Sequence, residues 1–291
     1  MFDFQDYVAV KKNPDSKRNA RGFGEYAYAG DVRILNSLSY AKPVRIAAEA
    51  SVRAFKAWRR SDLLKKSVKV SARQFPHLFG VVRECAEELS IPLPTVYITQ
   101  DFTGIDANTF GTDRDAFTLI KSATVDHLTE AELRFLIGRE FGKVQNSHVT
   151  YQTSLYFLSN SAGMFVKWII TPARLALMGW ARRAEITADR AGLICCRDEK
   201  VATAALVKIA VGSLDLAKKV DIDDYLTQID DIKEGIGRVS EYWLSKPYLP
   251  KRVKALRLFA ASDYYRHHLG ESGGTPLIDV DREVDELISV L

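Results

Sequence analysis

Cysteine is scarce in this chain: Cys85 and the adjacent pair Cys195 and Cys196, three in 291 residues. An odd count without framework spacing excludes a disulfide-stapled secreted scaffold, and no Cys-x-x-Cys pair offers zinc or redox chemistry. Long apolar runs are missing as well. The most tempting stretch, 149–180, has its longest uncharged run from Val149 to Val166. That run is interrupted by Thr150, Gln152, Thr153, Ser154, Ser159, Asn160 and Ser161, and Lys167, Pro172 and Arg174 follow it. A spanning helix needs about 20 predominantly apolar residues, so the stretch reads as two buried helices with at most a shallow membrane-surface contact. The opening MFDFQDYVAVKKNPD lacks the basic-then-apolar order of a signal peptide, and a cytoplasmic setting is expected. There is no internal repeat, no low-complexity tract and no GxSxG nucleophile elbow. DIDD at 221–224 lacks the Gly and terminal Glu of a calcium loop. Gly22 and Gly24 make a bare GxG with no strand before it, too little to cradle a phosphate.

What is present is an ordinary globular composition, 47% hydrophobic and 27% charged, long enough to bury a proper core. A net charge of +4 does not call for nucleic acid, and none is expected as a partner. The distribution is uneven: residues 1–75 hold 16 Lys/Arg against 7 Asp/Glu, +9 locally, which leaves −5 for the rest. Residues 1–70 are read as a basic helical segment packing on the core, with an irregular lead-in at 13–31. A second amphipathic helix follows in QFPHLFGVVRECAEELSI. Two short strands are expected at 95–99 (TVYIT) and 116–122 (AFTLIKS), separated by turn residues. Thr129 and Glu132 form a capping box that fixes the start of the next helix. Few early strands among many helices give an α+β fold with a small antiparallel or mixed sheet. GESGGTP at 270–276 reads as a flexible joint. Beyond it Val280, Val284, Leu287, Ile288 and Leu291 form one apolar stripe on an acidic helix, 277–291, which can dock back on the chain or lie in a partner's groove.

The chemistry is concentrated in ELRFLIGREFGKVQNSHV, 132–149. A His-Glu-x-x-His helix presents two imidazoles four apart to one zinc, with the Glu as general base. Here the five positions read Arg139, Glu140, Phe141, Gly142 and Lys143. His148 lies five residues past Lys143, which at about 100° per residue turns it to another face.

Together with RRAEITADRAGL, LTEAELRFLIGREFGKVQNSHV resembles the HtpX-like zinc metallopeptidases, relatives of the prenyl-protein (CAAX) proteases. DANTFGTDRDAFTLI and SKPYLPKRVKALRLFAASDYY are similar to further segments of that family, and the resemblance runs from about residue 70 to residue 269. It implies a mainly helical zincin-like domain over 71–269, built around an active-site helix. It places Glu185 at the third zinc ligand, Asp189 at the acid that supports the site, and Lys246 where the family has a histidine assisting the transition state, with Pro247 and Arg252 retained.

Three histidines with chemical roles in the family are thus Arg139, Lys143 and Lys246 here. Neither guanidinium nor ammonium has a lone pair to give a metal. Zinc is expected to be absent, and with it the activated water of hydrolysis. Two cations in place of a dication, opposite Glu140 and Glu185, are expected to form an ion cluster cross-linking two helices, with Arg139 gripping Glu185 bidentately. The expectation is a catalytically inactive pseudopeptidase, binding a protein or extended peptide whose backbone pairs with the strand Ala116, Phe117, Thr118, Leu119 and Ile120. The C-terminal helix is a candidate internal plug. Two alternatives stay open: a residual or partner-dependent metallopeptidase, and a membrane-peripheral adaptor using the basic N-terminal half.

Overall fold

The computed structural model describes residues 23–54, 65–100, 104–160, 167–212, 214–233 and 246–289. In chain order the elements are α1 (Ala29–Tyr40), α2 (Lys42–Ala54), β1 (Ser67–Lys69), α3 (Pro76–Glu88), β2 (Thr95–Thr99), β3 (Ala107–Thr112), β4 (Asp115–Lys121), α4 (Ser122–His127) and α5 (Glu130–Gln145). They continue with α6 (Val149–Asn160), α7 (Lys167–Cys196), α8 (Glu199–Val211), α9 (Leu214–Ala217), α10 (Ile222–Lys233), α11 (Leu249–Ala260), α12 (Asp263–His268) and α13 (Leu277–Ile288). The fold is α+β with one small mixed sheet.

The sheet order is β1-β2-β4-β3, with β2 and β4 parallel and the outer pairs antiparallel. This corrects the assignment of Ala116–Ile120 as a peptide-binding strand. Those residues lie in β4, whose backbone pairs with β2 on one side (Thr95↔Phe117 to Thr99↔Lys121) and β3 on the other. A strand hydrogen-bonded along both edges has no ladder left for a third partner. β3, missed as a separate strand in the sequence, forms the sheet's end. Its outward edge runs along α6: Gly111 N–H donates to Thr153 Oγ1 (3.0 Å), and just past the strand Asp113 N–H donates to Thr150 Oγ1 (3.4 Å), while Ala107 N–H donates to Asp106 Oδ1 (2.9 Å).

Two apolar clusters hold the layers. The larger buries Phe135, Leu136, Ile137 and Phe141 of α5 against α3, β2, α8 and α11. The second joins α1 and α2 to α6 and α7 through Leu35, Ala48, Tyr151, Leu177 and Trp180, so the described part of the basic N-terminal segment packs on the core. α7 runs from Lys167 to Cys196, through Pro172. No helix among the described residues is long and apolar enough to cross a membrane.

The 270–276 stretch departs from its expected role as a flexible joint. Thr275 donates to Ala261 O (3.0 Å) and accepts from Asp263 N–H (2.8 Å). Gly274, at φ +114°, runs so close that a Cβ there would lie 2.7 Å from Asp263 N. Backbone contact, which composition does not report, fixes this turn. It delivers α13 onto the fold, where Val280, Val284 and Ile288 pack with Tyr28, Ile186 and Ala255. Asp281 accepts from Ala29 N–H (2.9 Å) and Arg190 Nη2 (2.7 Å), and Asp285 accepts from the Tyr28 hydroxyl.

Candidate functional site

The capping box is formed: Thr129 Oγ1 accepts from Glu132 N–H (3.3 Å) and Glu132 Oε2 accepts from Thr129 N–H (2.8 Å). Lys208 of α8 adds an ion pair to Glu132 at 2.7 Å. α5 therefore starts at a fixed residue, which sets the direction in which Arg139 and Lys143 leave the helix.

Glycine sets the depth. Gly138 and Gly142, four apart and so on one face, lie against α7. A Cβ on Gly138 would meet Cys195 Cβ at 2.7 Å, and one on Gly142 would meet Ala191 Cβ at 2.3 Å. From the other side, a Cβ on Gly192 would meet Arg139 Cγ at 2.6 Å. The two helices are nearly in backbone contact, which leaves the Arg139 guanidinium among the carboxylates of α7. Sequence reasoning overlooked this face, although the spacing of Gly138 and Gly142 was available to it.

Arg139 is only 2% exposed. Its Nη2 donates to Glu185 Oε2 (2.6 Å) and its Nε to Asp189 Oδ1 (2.6 Å). The fork is divided between two acids one helical turn apart, in place of the expected bidentate grip on Glu185. Lys143 Nζ pairs with Glu140 Oε1 (2.5 Å) on its own helix and lies 3.8 Å from Glu185 Oε1. From α11, Arg252 holds Asp189 bidentately, Nε to Oδ2 (2.9 Å) and Nη2 to Oδ1 (2.7 Å), with Glu185 Oε2 at 3.6 Å. Three cations thus face three carboxylates across three helices, all buried. Lys246 stands apart: it is exposed and makes no ion pair with Glu185 among the described residues. Glu140 Oε2, wholly buried, has no hydrogen-bond partner among the described residues.

The electrostatics agree with this pairing. Burial works against the charge on Arg139, but Asp189, Glu185 and Glu140 outweigh it and raise its pKa further. Burial likewise opposes the charge on Lys143, and Glu140 and Glu185 reverse that effect, so the ammonium is held above its ordinary range. Burial alone would raise Glu185; Lys143, Arg139, Lys246 and Arg252 together hold it well below the usual carboxylate range.

His148 faces away from this cluster. It is buried edge-on to Trp180 (centroids 5.3 Å apart), with Nε2 2.9 Å from Asp31 Oδ2. Asp31 also accepts from Trp180 Nε1 (2.8 Å) and Thr187 Oγ1 (2.6 Å), tying α1 to α7. Thiol chemistry is disfavoured: a hydrogen bond with Cys85 and burial hold Cys195 well above its ordinary pKa, and burial pushes Cys196 up to about 12. No group of three or more His, Cys, Asp or Glu side chains among the described residues is placed to hold a metal ion.

The sequence profile of peptidase family M48 matches residues 72–260, which contain every member of the cluster. The chain belongs to peptidase family M48. Among curated relatives, the plastoglobule-localized metallopeptidase 48 of Arabidopsis thaliana is 30% identical over 165 residues, covering 56% of this chain and 48% of that protein. A protease HtpX homolog of Tropheryma whipplei is 27% identical over 127 residues, 43% of each chain. One from Methylibium petroleiphilum is 28% identical over 170 residues, 48% of this chain and 59% of that one. The chain thus spans about half the length of the curated relatives it matches. No solved structure gives a significant match. The chain is an HtpX-like member with the family's α+β fold, as its segments suggested.

Proposed function

We propose that this chain is a non-catalytic member of its family, a pseudopeptidase that holds polypeptide without cutting it. Arg139 carries the reading: its guanidinium lies between Glu185 and Asp189, 2.6 Å from each. The family implies zinc at this place, and the residues present do not fit it. Two of the three family ligand positions are cations held protonated by their neighbours, and neither has a lone pair to offer. The acids that could take part are already bound, Glu185 and Asp189 to Arg139 and Glu140 to Lys143. Catalytic zinc ordinarily takes three protein ligands. Without a metal to bring a bound water near neutral pKa, Glu140 neutralises Lys143 in place of activating a nucleophile. The ion cluster then does the mechanical part of the metal's work, linking α5, α7 and α11. Three free cysteines accord with a cytoplasmic setting.

The test is elemental mass spectrometry of untagged protein before and after dialysis against chelator, beside a peptidase assay. The expected content is below about a tenth of an equivalent of zinc, with no cleavage. Near one tightly held equivalent, or chelator-sensitive cleavage, would overturn the proposal. The double variant R139H/K143H serves as the positive control for geometry: on this reading it gains a zinc-dependent rise in melting temperature.

A further inference from the structure

Beyond the ion cluster, α8 is closed at both ends. Asp198 accepts from the N–H groups of Lys200 (2.8 Å) and Val201 (3.1 Å), which fixes where Lys200 leaves the helix. Gly212, at φ +66°, ends α8. Tight turns, Lys219 N–H to Leu216 O (3.0 Å) and Val220 N–H to Ala217 O (3.3 Å), then lead the chain to Asp221, whose carboxylate accepts from the first N–H groups of α10. Between α8, α9, α10 and α11 this leaves a cavity of about 320 Å³, at the lower end of the range for small-molecule sites. Ala204, Val207, Ala217, Val220 and Ile222 supply its apolar lining. The Thr203 hydroxyl beside them donates to Glu199 (3.0 Å). None of the described lining residues leaves a buried side-chain polar atom unpaired. Ordered water has few partners there, and an apolar group gains by replacing it.

The charge around this cavity is one-sided. Its described charged residues are four cations, Lys200, Lys208, Lys218 and Arg257, and one acid, Glu199. Two of the cations are engaged: Lys208 with Glu132 (2.7 Å), and Arg257 with Asp223 (2.8 Å) and Glu199 (3.4 Å). Lys200 and Lys218 are exposed, and among the described residues neither ammonium has an ion pair or a hydrogen bond. An apolar recess with unneutralised ammonium groups at its mouth suits a single-tailed amphiphile with an anionic head. The Arg257 fork, the group best shaped to grip a phosphate, is already taken by carboxylates, which favours a carboxylate head held by lysine alone. We propose that this cavity binds a medium-chain fatty carboxylate, its tail against Ala204, Val207 and Ile222 and its head held by Lys200 and Lys218. The site shares no residue with the ion cluster.

The test is isothermal titration calorimetry of the full chain with decanoate below its micelle concentration. Hexanoate, acetate and decyltrimethylammonium serve as counterparts. Decanoate is expected to bind at one site, and hexanoate more weakly by up to about fourfold for each methylene lost from the cavity. Acetate, a head without a tail, should give no measurable binding. Decyltrimethylammonium, the same tail under a cationic head, should bind about tenfold more weakly than decanoate. K200E/K218E should invert the preference between the two heads, and Ala204→Trp, which fills the cavity, should abolish binding of both. The charge reversal replaces exposed side chains, so its melting temperature should match the parent's, and it decides the matter even if Ala204→Trp fails to fold. No binding of decanoate, equal binding of the two heads, or indifference to K200E/K218E would overturn the proposal. So would several weak sites that a folded Ala204→Trp leaves intact, which would mean adsorption over the surface. Binding that begins only at the micelle concentration would overturn it too, and would assign the lysines to a lipid surface.

Discussion

Gly142 and Ala191 meet so closely that a Cβ on the glycine would sit 2.3 Å from that of the alanine. This contact sets how far apart α5 and α7 lie, and so whether a side chain leaving α5 at 139 can span both Glu185 and Asp189. The ion cluster is therefore a consequence of glycine placement as much as of charge.

Gly142→Ala should destabilise the fold by about 1–3 kcal/mol, since the added methyl has nowhere to go without separating the helices. The matched double variant G142A/A191G moves the methyl from one helix to the other and should recover part of the loss. Urea denaturation of the four forms measures the coupling; simple additivity would mean that the helices do not touch as described.

Arg139→Met tests whether the cluster is an ordered cross-link. Removing one partner from a buried array leaves uncompensated charge and costs about 3–5 kcal/mol. Drift to solvated charges predicts under about 1 kcal/mol. The double variant R139M/E185M removes an acid along with its cation and should be less destabilised than R139M alone. Arg139→Lys should fall between parent and Met, because an ammonium cannot serve two carboxylates with a rigid fork.

Much of this architecture was legible in the sequence for local reasons. Thr129 and Glu132 announce the helix start because a capping box is contained in four residues, and TVYIT reads as a strand because alternation is local. Arg139, Glu185, Asp189 and Arg252 could be brought together only through the family resemblance, as they come from three helices. The interior position of β4 was not legible: strand order is decided by non-local pairing, and β3, with its Gly111 and Asn108, carries little strand propensity. The turn at 270–276 was misread for a similar reason. Gly274 serves close backbone approach, and Gly270 and Gly273 the positive φ of the turn, and composition cannot distinguish those uses from flexibility.

The cap offers a smaller, cleaner test. Thr129→Ala should cost about 0.5–2 kcal/mol, and Lys208→Met should add to it less than its separate effect, because both act through Glu132. Thermal unfolding of the two single variants and the double distinguishes a shared network from two independent ones.

The pH dependence of stability carries opposite signs at its two ends. Glu185 is held below its ordinary pKa of 4.5 in the folded chain. The unfolded chain therefore binds a proton first as pH falls, and the stabilisation, fully present above 4.5, drains away below it. Lys143 is held above its ordinary 10.5. Its contribution is complete below that value and is lost as pH rises from 10.5 through the folded pKa. Denaturation midpoints measured from pH 2 to pH 12 should fall at both ends. Glu185→Gln should flatten the acid limb, and Lys143→Met the alkaline one. Glu185→Gln should also blunt the alkaline limb slightly, because Glu185 helps to hold the Lys143 proton. An acid limb unchanged by Glu185→Gln would mean that its charge is not held by Arg139 and Lys143, and the cluster would lose its role as the link between α5 and α7.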